Sequence, residues 1–162
     1  MKPRVYIETT VISYLTARPA RDVVIAGHQQ STRDWWATAS ERFELVISEL
    51  VREEAGAGDP DAVRARLTLL ASLALLDATA EAQELAERLV SASAVPEAAM
   101  RDAAHIAIAA ANGIEYLVTW NFRHIANAVT RPQIESVCRQ AGFESPVICT
   151  PEELMENIDD EK

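Results

Sequence analysis

Apolar residues along the chain fall into five short blocks separated by longer segments with helical spacing. Val5-Tyr6-Ile7, Phe43-Glu44-Leu45-Val46-Ile47, Tyr116-Leu117-Val118-Thr119 and Val147-Ile148-Cys149 read as strands, because short apolar runs bounded by turn or cap residues suit a buried sheet. Leu73-Ala74-Leu75-Leu76 is an ambiguous third block in chain order. Helices are expected over residues 9–15, 22–39, 50–57, 61–70, 81–92, 97–111 and 132–141. Ser48 and Asp59 stand where N-caps belong, Pro60 and Pro96 stand near helix starts, and Gly113 and Gly142 follow helices as C-cap glycines do. Strands alternating with helices imply an α/β domain of three layers, α/β/α, around a mostly parallel five-stranded sheet with right-handed crossovers. In such sheets ligands bind beyond the carboxyl ends of the strands, where strand order reverses, so the residues that follow each strand carry the functional question.

Composition narrows the class. A chain of 162 residues fits one domain and buries roughly 70% of its unfolded surface. No repeat or Pro/Gly/Ser linker divides it, so residues 1–150 are expected to form the domain and residues 151–162 an acidic helix or tail. The two cysteines, Cys138 and Cys149, have no metal-binding spacing and are too few for a disulfide framework, which suits a reducing cytoplasm. Glu8 comes too early for a signal peptide and no stretch is long enough to span a membrane, so a soluble cytoplasmic protein without a membrane partner is expected. The net charge of -10 opposes generic nucleic-acid binding, which draws its affinity from Lys and Arg. Placing the charges softens that objection: Glu152, Glu153, Glu156, Asp159, Asp160 and Glu161 crowd the end of the chain as a solvated tail.

The strand ends carry the candidate chemistry. Strand one runs into Glu8-Thr9-Thr10, a carboxylate and two hydroxyls; Glu8 either caps the helix that follows or serves a site. After strand two, Leu50, Val51 and Glu54 share the inner face of a short helix, while Glu49 and Glu53 fall outside; solvation is the commoner fate of such glutamates. Asp102 lies in line with Ile106 and Ala109 on an Ala/Ile-rich helix, and an acid on a buried side needs a metal, an arginine or a helix dipole. His105, one turn on, reads as a hydrogen-bonded core histidine rather than a ligand. Strand four leads into Thr119-Trp120-Asn121-Phe122-Arg123-His124, where Asn121 either serves the site or makes ordinary turn chemistry. Trp120 reads as core, or as a ring that stacks on a base. Three acids and a polar pair thus converge on one cleft, and oxygen ligands suit Mg²⁺ or Mn²⁺ rather than zinc.

Taken together, Val5-Tyr6-Ile7-Glu8-Thr9-Thr10, Ser48 with Glu54 six positions later, Asp102-Ala103-Ala104-His105-Ile106-Ala107, and Asn121 two positions after Thr119 resemble the PIN-domain family, particularly its VapC-like toxin branch. The resemblance spans nearly the whole chain. It implies a PIN-like fold and a metal-dependent endoribonuclease, the toxin of a type II toxin–antitoxin pair. It further implies RNA as substrate, a small antitoxin that covers the cleft, and a homodimer, with the adjacent Trp35 and Trp36 as candidate interface rings unless they fill the core. Matched to the family's motif, Glu8, Glu54 and Asp102 are the implied metal ligands and Asn121 the fourth catalytic position, with Thr9, Thr119 and His124 in support. The sequence departs from the family in two places: Glu8 is one methylene longer than the usual aspartate, and Asn121 lacks a charge, with His124 standing where many relatives carry a further acid. Arg18, Arg21, Arg101 and Arg123 are candidate RNA contacts or ordinary surface arginines. A PIN-like RNA- or protein-binding module with weak or no nuclease activity is the alternative; a flavodoxin-like or nucleotide-binding domain lacks its Gly-rich loop after strand one.

Overall fold

The computed structural model describes residues 1–156. Five strands form one sheet: β1 (Arg4–Ile7), β2 (Glu44–Ser48), β3 (Ala74–Leu76), β4 (Tyr116–Val118) and β5 (Val147–Cys149). Every pairing is parallel, in the order β3-β2-β1-β4-β5, so the ambiguous block at 73–76 is a genuine edge strand. Strands covered on both faces lose the polar alternation of a half-solvated sheet, which is why Val5, Tyr6, Ile7, Leu117 and Val118 are all fully buried.

Seven helices cover the sheet: α1 (Thr9–Thr16), α2 (Val23–Arg42), α3 (Glu49–Ala55), α4 (Pro60–Leu70), α5 (Ala80–Ser91), α6 (Met100–Ala111) and α7 (Arg131–Gln140). α1 packs on α2, α3 and α4, whereas α5 packs on α6 and α7, the two-layer division that right-handed crossovers produce when strand order runs outward from β1 on both sides. The expected caps are in place: Ser48 accepts from the Val51 amide, Asp59 from the Ala62 amide, and Gly113 and Gly142 take positive φ after α6 and α7. α2 runs on to Arg42, beyond the expected end at 39, because nothing between Ala39 and Phe43 breaks a helix. Residues 97–99 form a 3-10 turn after Pro96, so α6 proper starts at Met100 and Asp102 lies in its first turn.

The core settles two further expectations. Trp35 is buried and stacks edge-on against Trp36, which also packs on the core, so the rings fill the interior. The expected solvated tail begins instead with a 3-10 turn, Pro151–Leu154, docked on α2. Glu152 accepts from the Ser31 hydroxyl, and Arg42 holds both the Leu154 carbonyl and the Glu156 carboxylate. Asp159, Asp160 and Glu161 lie outside the described residues. No helix among those residues is long and apolar enough to cross a membrane.

Candidate metal centre

Strand order reverses between β1 and β4, and Glu8 and Thr119 follow those two strands directly. The Glu8 amide donates to the Val118 carbonyl, continuing the ladder, and its side chain turns into the crevice. It is only 3% exposed. Oε2 accepts from the Thr10 amide (3.0 Å); Oε1 accepts from the Thr10 and Thr119 hydroxyls, each at 2.5 Å. Glu8 therefore is the N-cap of α1, and its carboxyl group is buried because three donors replace its water.

Glu54 arrives from α3, half-buried on its inner face, while Glu49 and Glu53 are exposed as expected. Its Oε1 accepts from the Thr9 hydroxyl (2.7 Å) and from His105 Nε2 (2.5 Å). His105 is fully buried, and its Nδ1 lies 2.7 Å from the Tyr6 hydroxyl, itself 2.7 Å from Ser48 Oγ. Ligand atoms of Glu8, Glu54 and His105 all lie within 4.8 Å of one another, a spacing that one metal ion could bridge. The larger cavities, about 760 Å³ beside α7 and β5 and about 320 Å³ beside β4 and β5, contain none of these groups.

The remaining predicted residues form a second tier. Asp102 is not among the three clustered groups; its side chain is 21% exposed, and its Oδ2 meets His124 Nδ1 at 2.9 Å. The late start of α6 puts it in the first helical turn. Asn121 accepts the His124 amide on its side-chain oxygen and donates its own amide to the Thr119 hydroxyl, so it is occupied by turn chemistry. Thr9 and Thr119 spend their hydroxyl protons on Glu54 and Glu8, which makes them holders of carboxylates rather than of water or phosphate. Trp120 is core: its indole N–H donates to Thr32 and its ring stacks on His28. Arg18, Arg21, Arg101 and Arg123 are exposed. Cys138 and Cys149 are buried free thiols, pushed up to about 11 and about 12 by burial and remote from ligation.

No protein-family model matches the chain, and no curated protein matches its sequence. Among solved structures, a chain of the VapBC2 complex from Rickettsia felis bound to a DNA fragment from its promoter overlays with a TM-score of 0.57 and 13% identity, covering 90% of this chain and 96% of that one. The fold is shared. At 13% identity the roles of individual side chains rest on their own geometry.

Electrostatics binds the cluster together. Burial alone would raise the Glu54 carboxyl, but the His105 hydrogen bond and charge, the Thr9 hydroxyl and Arg101 outweigh it and hold Glu54 below its ordinary range. A carboxyl depressed in the folded state adds stability above its unfolded pKa, and that stability is lost as pH falls through the folded value. Melting temperatures of wild type and Glu54→Gln are therefore expected to differ at neutral pH and to converge below about pH 4, as followed by circular dichroism. His105 is the hydrogen-bonded core histidine that its Ala- and Ile-rich helix predicts, but the sequence did not show that Glu54 is its partner. The signal lay in Tyr6: a phenol in the middle of a buried strand needs a polar partner, and a core histidine is one of few that can serve.

Proposed function

We propose that this chain is a PIN-like domain of the VapC type that hydrolyses RNA phosphodiester bonds with a divalent metal, Mg²⁺ or Mn²⁺. The observation that carries this reading is the approach of the Glu8 and Glu54 carboxylates at the carboxyl ends of the central strands, where α/β sheets place their ligands. The donor set fits such an ion: one buried and one partly buried carboxylate, with an imidazole beside them and Asp102, held by His124, one turn before that imidazole on α6. A bound divalent ion supplies Lewis acidity, neutralising the scissile phosphate and making water a better nucleophile.

The chain's own residues do the positioning. Thr10 and Thr119 fix Glu8, while Thr9 and His105 fix Glu54. Asn121 pins the backbone of His124, and His124 in turn orients Asp102, leaving Oδ1 of that carboxylate for a metal or for water. Arg101, Arg123, Arg18 and Arg21 are the exposed cations that would receive the flanking phosphates of a strand. On this reading the partners are an RNA substrate, a cognate antitoxin protein and a second copy of the chain. The two-component VapBC2 complex that shares the fold supports the toxin role.

The test is cleavage of structured RNAs in Mg²⁺ or Mn²⁺. Activity is expected to vanish on chelation and to fall about 100-fold or more in Asp102→Asn, with little change in stability because asparagine is nearly isosteric and keeps an oxygen for His124. Unchanged cleavage in that variant would sink the assignment. A second reading, a PIN-like module that binds RNA or protein without cutting, is favoured by one feature: the Glu8 carboxylate is already served by three donors. Metal calorimetry separates the two, since divalent binding in the micromolar-to-millimolar range is required by the first and absent from the second.

A further inference from the structure

The floor of the crevice holds a chain of hydrogen bonds that a simple pair of metal-binding carboxylates does not require. Ser48 Oγ, Tyr6 Oη, His105 and Glu54 Oε1 follow one another at 2.7, 2.7 and 2.5 Å, and Thr9 closes the far end on Glu54. Four elements contribute, β1, β2, α3 and α6, with Ser48 also capping α3. Tyr6, Ser48 and His105 are buried completely, so each position is set by packing and by these bonds together.

The donors and acceptors can be arranged in two ways, the first complete in itself and the second complete only when a cation stands between His105 Nε2 and the carboxylates. In the first, His105 carries its proton on Nε2 and donates to Glu54; Tyr6 donates to Nδ1 and accepts from Ser48. In the second, His105 carries its proton on Nδ1 and donates to Tyr6, which donates to Ser48, and the Nε2 lone pair faces the two carboxylates. The imidazole holds one proton in both arrangements, and each hydroxyl keeps its own and turns over. A hydroxyl can either give or accept, so the chain is reversible; a backbone carbonyl in place of Tyr6 would lock one form. The second arrangement is the habit of metal-bound histidines, which ligate through one nitrogen and donate the other N–H to a fixed partner.

We infer that His105 Nε2 is a metal ligand beside Glu8 and Glu54, taken up in the Nδ1–H form that Tyr6 holds, and that this imidazole makes the centre select Mn²⁺ over Mg²⁺. The inference rests on the metal-dependent reading above and sharpens it. Imidazole suits transition ions, whereas Mg²⁺ prefers oxygen and keeps its waters, so an O,O,N site discriminates where an all-carboxylate site does so weakly. A histidine that merely filled the core would keep its Nε2 proton on Glu54 whatever ion was added.

The test uses wild-type protein with ¹⁵N-labelled histidine, loaded with Mn²⁺ alone and examined by pulsed electron paramagnetic resonance, alongside Mn²⁺ and Mg²⁺ calorimetry. A directly bound histidine nitrogen is expected in the spectrum, with Mn²⁺ preferred by about tenfold or more. His105→Gln, which retains a side-chain donor toward Glu54, is expected to weaken Mn²⁺ more than Mg²⁺ and so to shrink that preference to about threefold or less. Tyr6→Phe, which removes only the outer partner, is expected to weaken Mn²⁺ by roughly 10–100-fold. Bound Mn²⁺ without nitrogen coupling, or an equal preference in wild type and His105→Gln, overturns the inference and leaves the carboxylate site standing. Absence of any divalent binding overturns both. The spectroscopic arm needs no variant, so a folding defect in His105→Gln does not blunt it.

Discussion

Replacing Glu8 with alanine is expected to destabilise the protein by about 3–5 kcal/mol and to abolish metal-dependent cleavage. The carboxylate is 3% exposed and serves the Thr10 amide, the Thr10 hydroxyl and the Thr119 hydroxyl at once. Its loss orphans three donors, of which each buried one costs about 1–3 kcal/mol, and removes the N-cap of α1, which is worth about 1 kcal/mol. Water entering the vacated space recovers part of that sum. For a chain of this size each kcal/mol moves the melting temperature by about 2–4 °C, so a fall of roughly 6–20 °C is expected in thermal denaturation. Glu8→Asp is the informative companion. One methylene shorter, it cannot span Thr10 and Thr119 together, and an intermediate loss of about 1–2 kcal/mol is expected. A Glu8→Ala protein that melts with the wild type would refute the network.

Trp120→Ala is the other change with a large expected effect, about 3–5 kcal/mol by urea denaturation. The ring is 5% exposed and lies near-parallel to His28 at 4.3 Å and to Tyr14 at 5.8 Å, with its N–H on the Thr32 hydroxyl at 2.8 Å. It joins α1 and α2 to the segment that follows β4. Its own amide donates to Thr10 Oγ1, the same hydroxyl that donates to Glu8. The cavity left by alanine thus loosens both the core and the loop that carries Asn121 and His124. Trp120→Phe keeps an apolar ring, and because Thr32 Oγ1 still bonds the His28 carbonyl, a smaller loss of about 1–2 kcal/mol is expected. Equal losses in the two variants would assign the effect to the N–H rather than to the packed ring.

The legibility of this molecule follows the range of the forces involved. Strands and helices were readable because their signals are local: apolar blocks for β1, β2, β4 and β5, Asp59 before Pro60, and Gly113 and Gly142 after their helices. Glu8 and Glu54 were readable as candidates because a carboxylate just past a buried strand, or on the inner face of a helix, violates the local pattern. Asp102 was readable in the same way, as an acid in line with Ile106 and Ala109, and the 3-10 turn over residues 97–99 sets it in the first turn of α6. Asn121 carried two local meanings, and the turn meaning is the one its hydrogen bonds express.

His105 shows where local information ends. Its partners, Tyr6 and Glu54, lie 99 and 51 residues away, and nothing in an Ala- and Ile-rich helix tells a filler histidine from one that grips a carboxylate. By itself the sequence determined a parallel α/β sheet, the residues that follow its strands, and hence which acids to suspect, because hydrophobic burial and capping act within a few residues. The tertiary structure decided which suspects meet: Glu8, Glu54 and His105 in one cluster, with Asp102 and His124 paired to each other. That selection comes from the order β3-β2-β1-β4-β5 and from hydrogen bonds a few ångströms long, whose geometry exists only after distant segments have packed.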